Sequence, residues 1–274
     1  MSAQDAAAAP TAPIRSTAGW ARFLLGFAVL LGVLMGTSAP DATGRFGLAV
    51  LAAVLLTGVA VERVLYRGGV REALQRLGFG RPGGRALLAA AVTGALVLLV
   101  YPVTGAVTGT MPALRPDWPW LLIGVFAFNG VAEELVWRGY AYRRLRAGRS
   151  FGRAVAGTMP LVALAHVPIV ITSGITIGTA ALAVAFITSV PLGYLFDAGR
   201  STIWAAAILH TAIDTFKVFD VPAAAVTTFS LLLSAFSIVI PLLVLVVPRT
   251  AFRSAPAPGS GTTHPLTTTE RSLT

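Results

Sequence analysis

Glu133, His166, His210 and Asp214 are the residues of this sequence best suited to chemistry, because each lies inside a long apolar run. A charged group at the centre of a bilayer costs at least about 2.5 kcal/mol, so ionisable residues there are functional candidates by default. A carboxylate such as Glu133, with a histidine such as His166, can hold a water molecule and take its proton. A second histidine and an acid, His210 and Asp214, can steady a developing oxyanion or complete a metal site. Two histidines plus carboxylates with an open position also make an acceptable catalytic zinc set. The sequence has no HExxH, so any metal site must be assembled from several helices.

Helix spacing sorts these residues further. In the segment WPWLLIGVFAFNGVAEELVWRGYAYRRL, Glu134 and Arg138 are four apart, share a face and can pair. Glu133 is rotated by about 100° from Glu134 and lacks that partner. Asn129 lies four residues before Glu133, on its face. One carboxylate is therefore neutralised by a fixed cation and the other is free for proton chemistry. His210 and Asp214 are likewise four apart on one face. At 1.5 Å per residue, Glu133 lies about 22 Å from the outer end of its helix, His210 about 14 Å and His166 about 20 Å from the cytoplasmic ends of theirs. These groups can meet at one level. His264 lies in the C-terminal tail, away from the set.

The elements that must position them are membrane helices. Of the 274 residues, 55% are hydrophobic and 12% charged, against about 25% charged in soluble domains. The absence of cysteine removes disulfides, a thiolate metal site, a cysteine nucleophile and lipid attachment through cysteine. Eight spans are expected, at roughly 19–37, 46–66, 86–107, 118–138, 153–172, 175–196, 201–217 and 222–247, with a turn around Ser173 and Gly174. Residues 1–18 read as a disordered lead and 249–274 as a disordered tail. No cleavable signal peptide is evident; the first apolar run reads as an uncleaved anchor.

The net charge of +10 comes from arginine-rich loops rather than a nucleic-acid footprint. Arg63, Arg67, Arg71, Arg76, Arg81 and Arg85 occupy one loop; Arg138, Arg143, Arg144, Arg146, Arg149 and Arg153 cluster at another connection. The positive-inside rule then puts both termini in the cytoplasm. Twenty of the twenty-one basic residues are Arg and one is Lys, a bias that reads as base composition rather than chemistry. Trp118, Trp120, Trp137, Tyr140 and Tyr142 read as interfacial aromatics, Glu62 and Arg63 as an interfacial pair, and Pro168 as a kink beside His166. No internal repeat is evident, which weakens an inverted-repeat transporter reading.

AEELVWRGY resembles the EExxxR motif of the CPBP intramembrane proteases, which include CAAX prenyl protease 2 enzymes and lysostaphin-resistance-like (Abi) proteins. LVALAH is similar to the second motif of that family, FxxxH, and ILHTAIDT to the third, HxxxN or HxxxD. The resemblance covers roughly residues 118–215. It implies that Glu133 and His166 activate the hydrolytic water. It implies too that Glu134 and Arg138 hold the site together, and that His210 and Asp214 bind the oxyanion or a metal. Val162 stands where the family usually has Phe, and Asp214 where the eukaryotic enzymes have Asn.

The expectation is therefore an all-α, polytopic helical bundle with scaffold helices over 19–117, a catalytic core over 118–217 and a last span over 218–248. Its function would be endoproteolysis of a membrane-associated or CAAX-type protein or peptide, glutamate-based or zinc-assisted through Glu133, His166, His210 and Asp214. Short loops and the arginine bias suggest a bacterial plasma membrane. The rival readings are a proton-coupled transporter and a non-catalytic bacteriocin-immunity protein.

Overall fold

The computed structural model describes residues 11–41 and 43–252. The expected tail beyond Phe252, with His264, and the first ten residues of the expected lead lie outside the described residues. Backbone groups in lipid must be satisfied within their own segment, and the described chain meets this with helices. In chain order these are α1 (Thr17–Ser38), α2 (Gly47–Tyr66), α3 (Val70–Arg76), α4 (Gly84–Thr108), α5 (Trp118–Arg146), α6 (Phe151–Ala198), α7 (Trp204–Asp214) and α8 (Ala223–Val246). The one sheet is a two-residue antiparallel ribbon, β1 (Ala113–Leu114) against β2 (Phe219–Asp220). α1 starts inside the expected lead, capped by Ser16, whose Oγ accepts from the Gly19 amide at 3.1 Å.

Six of these helices, α1, α2, α4, α5, α6 and α8, are long and apolar enough to cross a membrane. The chain is an all-α, multi-pass integral membrane protein. Two of the eight expected spans share α6, a run of 48 residues broken at Gly174, where φ is 84° and ψ 167°. This conformation favours glycine. The chain doubles back there so tightly that a Cβ on Gly178 would lie 2.6 Å from Val170 Cα. Pro168 stays in helical backbone, so the break falls at the glycine and not at the proline. The expected span over 201–217 is different. Regular helix covers 11 residues, Trp204–Asp214, about 16 Å at 1.5 Å per residue, roughly half of a hydrocarbon core.

α5 is the central element. Two thirds of its apolar stretch is inside the protein, against 6% for the apolar stretch within the α6 hairpin. A stripe on α1 spaced by three and four residues, Phe23, Phe27, Leu30 and Leu34, is buried. Phe23 stacks on Tyr140 at 5.9 Å between centroids, and Phe27 meets Trp137 at 5.6 Å. This corrects part of the interfacial-aromatic expectation. Trp118 and Trp120 are exposed, but Trp137, Tyr140 and Tyr142 are core residues. α1 presents aromatic faces to Trp137 and Tyr140, and Phe151 and Phe196 of α6 meet Tyr142 edge-on at 6.4 and 5.8 Å.

The basic loops are also more than topological markers. Glu62 is fully buried and pairs with Arg144, with Arg76 Nη1 at 3.8 Å. The Arg144 guanidinium lies 4.2 Å and 3.9 Å from the Tyr66 and Tyr140 ring centroids. The expected Glu62–Arg63 pair is not formed: Arg63 is exposed. Neighbouring residues on a helix point about 100° apart, so Glu62 faces inward while Arg63 faces out. Glu62→Ala, which strands Arg144, should destabilise the protein by about 3–5 kcal/mol. Arg63→Ala should stay within about 0.5 kcal/mol. Thermal melts in detergent check both.

Candidate active site

α5 does not keep α-helical winding where its acids lie. Phe126–Ala132 and Leu135–Tyr142 are π-helical. The amide of Glu133 bonds the carbonyl of Phe128, and that of Arg143 bonds the carbonyl of Arg138, both five residues back. Such stretches are rare and often mark functional sites. Glu133 and Glu134 lie between the two widened turns.

Gly130 lets α7 come close. A Cβ there would lie 2.4 Å from Thr211 Oγ1 and 3.0 Å from the Ala207 carbonyl oxygen. With the backbones so near, His210 reaches across to α5. Its Nδ1 is 2.7 Å from Glu134 Oε1, which also accepts from Arg138 Nη1 at 2.7 Å. A carboxylate accepts, so His210 donates from Nδ1 and turns Nε2 outward. Nε2 lies 3.3 Å from Asp214 Oδ2 and 3.8 Å from Glu133 Oε2.

The two adjacent carboxylates have different surroundings. The Glu134 side chain is fully buried, whereas that of Glu133 is 21% exposed. Glu133 Oε1 accepts from Asn129 Nδ2 at 2.8 Å. Its Oε2 faces His210 at a separation too long for a hydrogen bond. Each acid keeps one oxygen without a hydrogen bond, but that of Glu134 is buried, and only Glu133 has a partly exposed side chain to offer another partner.

Glu133, Glu134, Arg138, His210 and Asp214 therefore form one connected group, joined by Asn129. His166 is not hydrogen-bonded or ion-paired to it. His166 Nδ1 bonds the Val162 carbonyl at 2.8 Å, one turn back on α6. A carbonyl only accepts, so Nδ1 carries hydrogen and Nε2 keeps the lone pair of a base in the neutral ring. Val162 and Arg138 border one small cavity, which also touches Trp137, Tyr142, Thr158 and Ser189. The smaller residue at 162 thus lies on a wall shared with the Glu134–Arg138 pair.

Zinc held by Glu133, His166, His210 and Asp214 would need these four donors to converge. Among the described residues no three His, Asp or Glu side chains form a group able to hold a metal ion. His210 spends one nitrogen on Glu134, and His166 is turned to its own helix. This arrangement does not fit the ion, and no step is routed through one.

Sequence reasoning missed Lys217. Its Nζ donates to Asn129 Oδ1 at 2.9 Å. The reading of the lone lysine as base composition overlooked its spacing. Lys217 follows His210 by seven residues and Asp214 by three, the spacing of one helical face.

Two variants test how the site is held. Gly130→Val should cost about 1–3 kcal/mol by overpacking the α5–α7 contact. Arg138→Met should cost about 3–5 kcal/mol by removing a partner of a buried carboxylate. Both should appear as lowered melting temperatures in detergent.

Residues 115–216 match the model of the Rce1-like family, described as type II CAAX prenyl endopeptidase. No curated protein and no solved structure matches the chain. The matched stretch runs from just before α5 to just past Asp214, so it takes in the clustered residues of α5 and α7 and also His166 on α6. Over these residues the chain is similar to the CAAX-type prenyl endopeptidases that the family model describes.

Proposed function

We propose that the chain hydrolyses a peptide bond of a membrane-associated or CAAX-type protein or peptide by a glutamate mechanism, with Glu133 as the base. The observation that carries this reading is the inequality of the paired acids. Glu134 is sealed: its Oε1 takes two hydrogen bonds and its unbonded Oε2 is buried, whereas Glu133 carries an unbonded Oε2 on a partly exposed side chain. A general base must reach the proton that it abstracts.

Glu133 Oε2 takes a proton from water as the water oxygen bonds to the scissile carbonyl carbon. The carbonyl π electrons move to oxygen and give a tetrahedral oxyanion. The proton on Glu133 passes to the leaving nitrogen as the C–N bond breaks. The products are a new carboxyl terminus and a new amine. The resemblance also assigns His166 to the water; in its present rotamer Nδ1 is held by the Val162 carbonyl, so Nε2 is the nitrogen that would accept from it. With Nδ1 donating to Glu134, His210 in its imidazolium form also donates from Nε2, 3.8 Å from Glu133 Oε2, and steadies the oxyanion. An ionised Asp214 is a poor oxyanion donor, so its role is to orient and balance His210 at 3.3 Å. In this reading the arginine-rich loops face the cytoplasm and the substrate enters from that leaflet.

Glu133→Ala should lower cleavage of a membrane-peptide library by about 10²–10⁴-fold, the usual worth of a general base, with an unchanged melting temperature. Retained cleavage in that variant overturns the assignment. Chelator treatment of the wild type should leave the rate unchanged; loss on chelation, restored by zinc, would replace the glutamate mechanism with a metal-assisted one.

A further inference from the structure

Lys217 is the only lysine in the sequence, and the mechanism above gives it no role. It sits on the 3₁₀ turn Thr215–Val218 that follows α7. That turn is fixed on both sides. Thr215 Oγ1 and the Tyr101 hydroxyl are 2.9 Å apart, and Phe219 and Asp220 pair with Leu114 and Ala113. The ammonium also lies 5.2 Å from the Phe128 ring centroid and 5.9 Å from that of Phe216. The cation is thus delivered to its place by ordered backbone and held there by two aromatic faces.

Its hydrogen bond has a directional consequence. An ammonium only donates, so Asn129 must turn its oxygen to Lys217, as it does at 2.9 Å. The carboxamide nitrogen is then forced toward Glu133 Oε1, 2.8 Å away. Without the cation the amide can rotate and set its oxygen against the carboxylate, which repels it. Charge points the same way. Glu133, Glu134 and Asp214 place three acids in this network, and Arg138 pairs with Glu134. Lys217 is the second fixed cation among the described residues of the network.

We propose that Lys217 is a positioning residue: its ammonium locks the Asn129 carboxamide so that it donates to Glu133 Oε1, leaving Oε2 as the oxygen that addresses water. This rests on the hydrolytic reading of Glu133.

The test compares Lys217→Met, Lys217→Arg, Asn129→Leu and the Lys217→Met/Asn129→Leu double variant in the full chain. Lys217→Met should lower kcat by about 10–100-fold, as loss of an orienting partner does, with KM and melting temperature unchanged. Arginine, which also donates from a fixed cation, should recover most of the loss. The double variant should be no slower than Asn129→Leu alone, since both break one relay. Additive losses, a raised KM with kcat intact, a lowered melting temperature, or an arginine variant no better than methionine would overturn the proposal. A readout without turnover uses the single lysine. Reductive ¹³C-methylation gives one side-chain NMR signal besides the N-terminal amine, and Asn129→Leu should shift it. An unmoved signal overturns the contact itself. A signal that moves in a wild type that cleaves no peptide overturns the hydrolytic reading and leaves the contact standing.

Discussion

Glu134 is a carboxylate with no exposed surface in the interior of a membrane protein, and the core helices are arranged around it. A buried charge is tolerable only when it is paired and hydrogen-bonded. Arg138, one turn along α5, supplies one donor, and His210 from α7 supplies the other, both to the same oxygen. Because one donor comes from another helix, satisfying Glu134 fixes the distance between α5 and α7. It also fixes the ring of His210. With Nδ1 held by Glu134, Nε2 can only face Asp214 and Glu133. The Nε2 side of His210 is thus positioned by a carboxylate on another helix.

Backbone features make this pairing reachable. The π-helical turns on both sides of Glu133 and Glu134 change the angular order of the side chains from that of a regular α-helix. Gly130 allows Thr211 and the Ala207 carbonyl to approach α5 where any side chain would collide. α7 stops at Asp214 and continues as a short 3₁₀ turn. That early stop brings Lys217 beside Asn129 instead of carrying it away along a longer helix. The working centre is therefore built where two elements depart from regular membrane helices.

The same rule governs a second charged node. Glu62, buried on α2, is neutralised by Arg144 at the end of α5 and approached by Arg76 at the end of α3. Arginines that mark the basic side of the bundle are pulled in to meet it, with their planes against Tyr66 and Tyr140. α5 is consequently tied to α7 through Glu134 and to α2 through Arg144. This explains why the helix carrying Glu133 is the most enclosed of those able to span a membrane.

The sequence by itself determined the membrane class, the helical architecture and the identity of the ionisable set. Hydropathy and spacings of three or four residues are local properties, and local properties survive without knowledge of the fold. The unequal surroundings of Glu133 and Glu134 were legible for that reason, because Arg138 and Asn129 lie on the same helix as their partners. The tertiary structure decided everything that joins distant segments. Glu134 meets His210 across 76 residues, Asn129 meets Lys217 across 88, and Glu62 meets Arg144 across 82. No period in the chain encodes such pairings. They follow from close backbone approach and from burial, which forces each enclosed charge to find its donor. The same forces buried Tyr140, shortened the seventh expected span to α7 and brought the one lysine to Asn129.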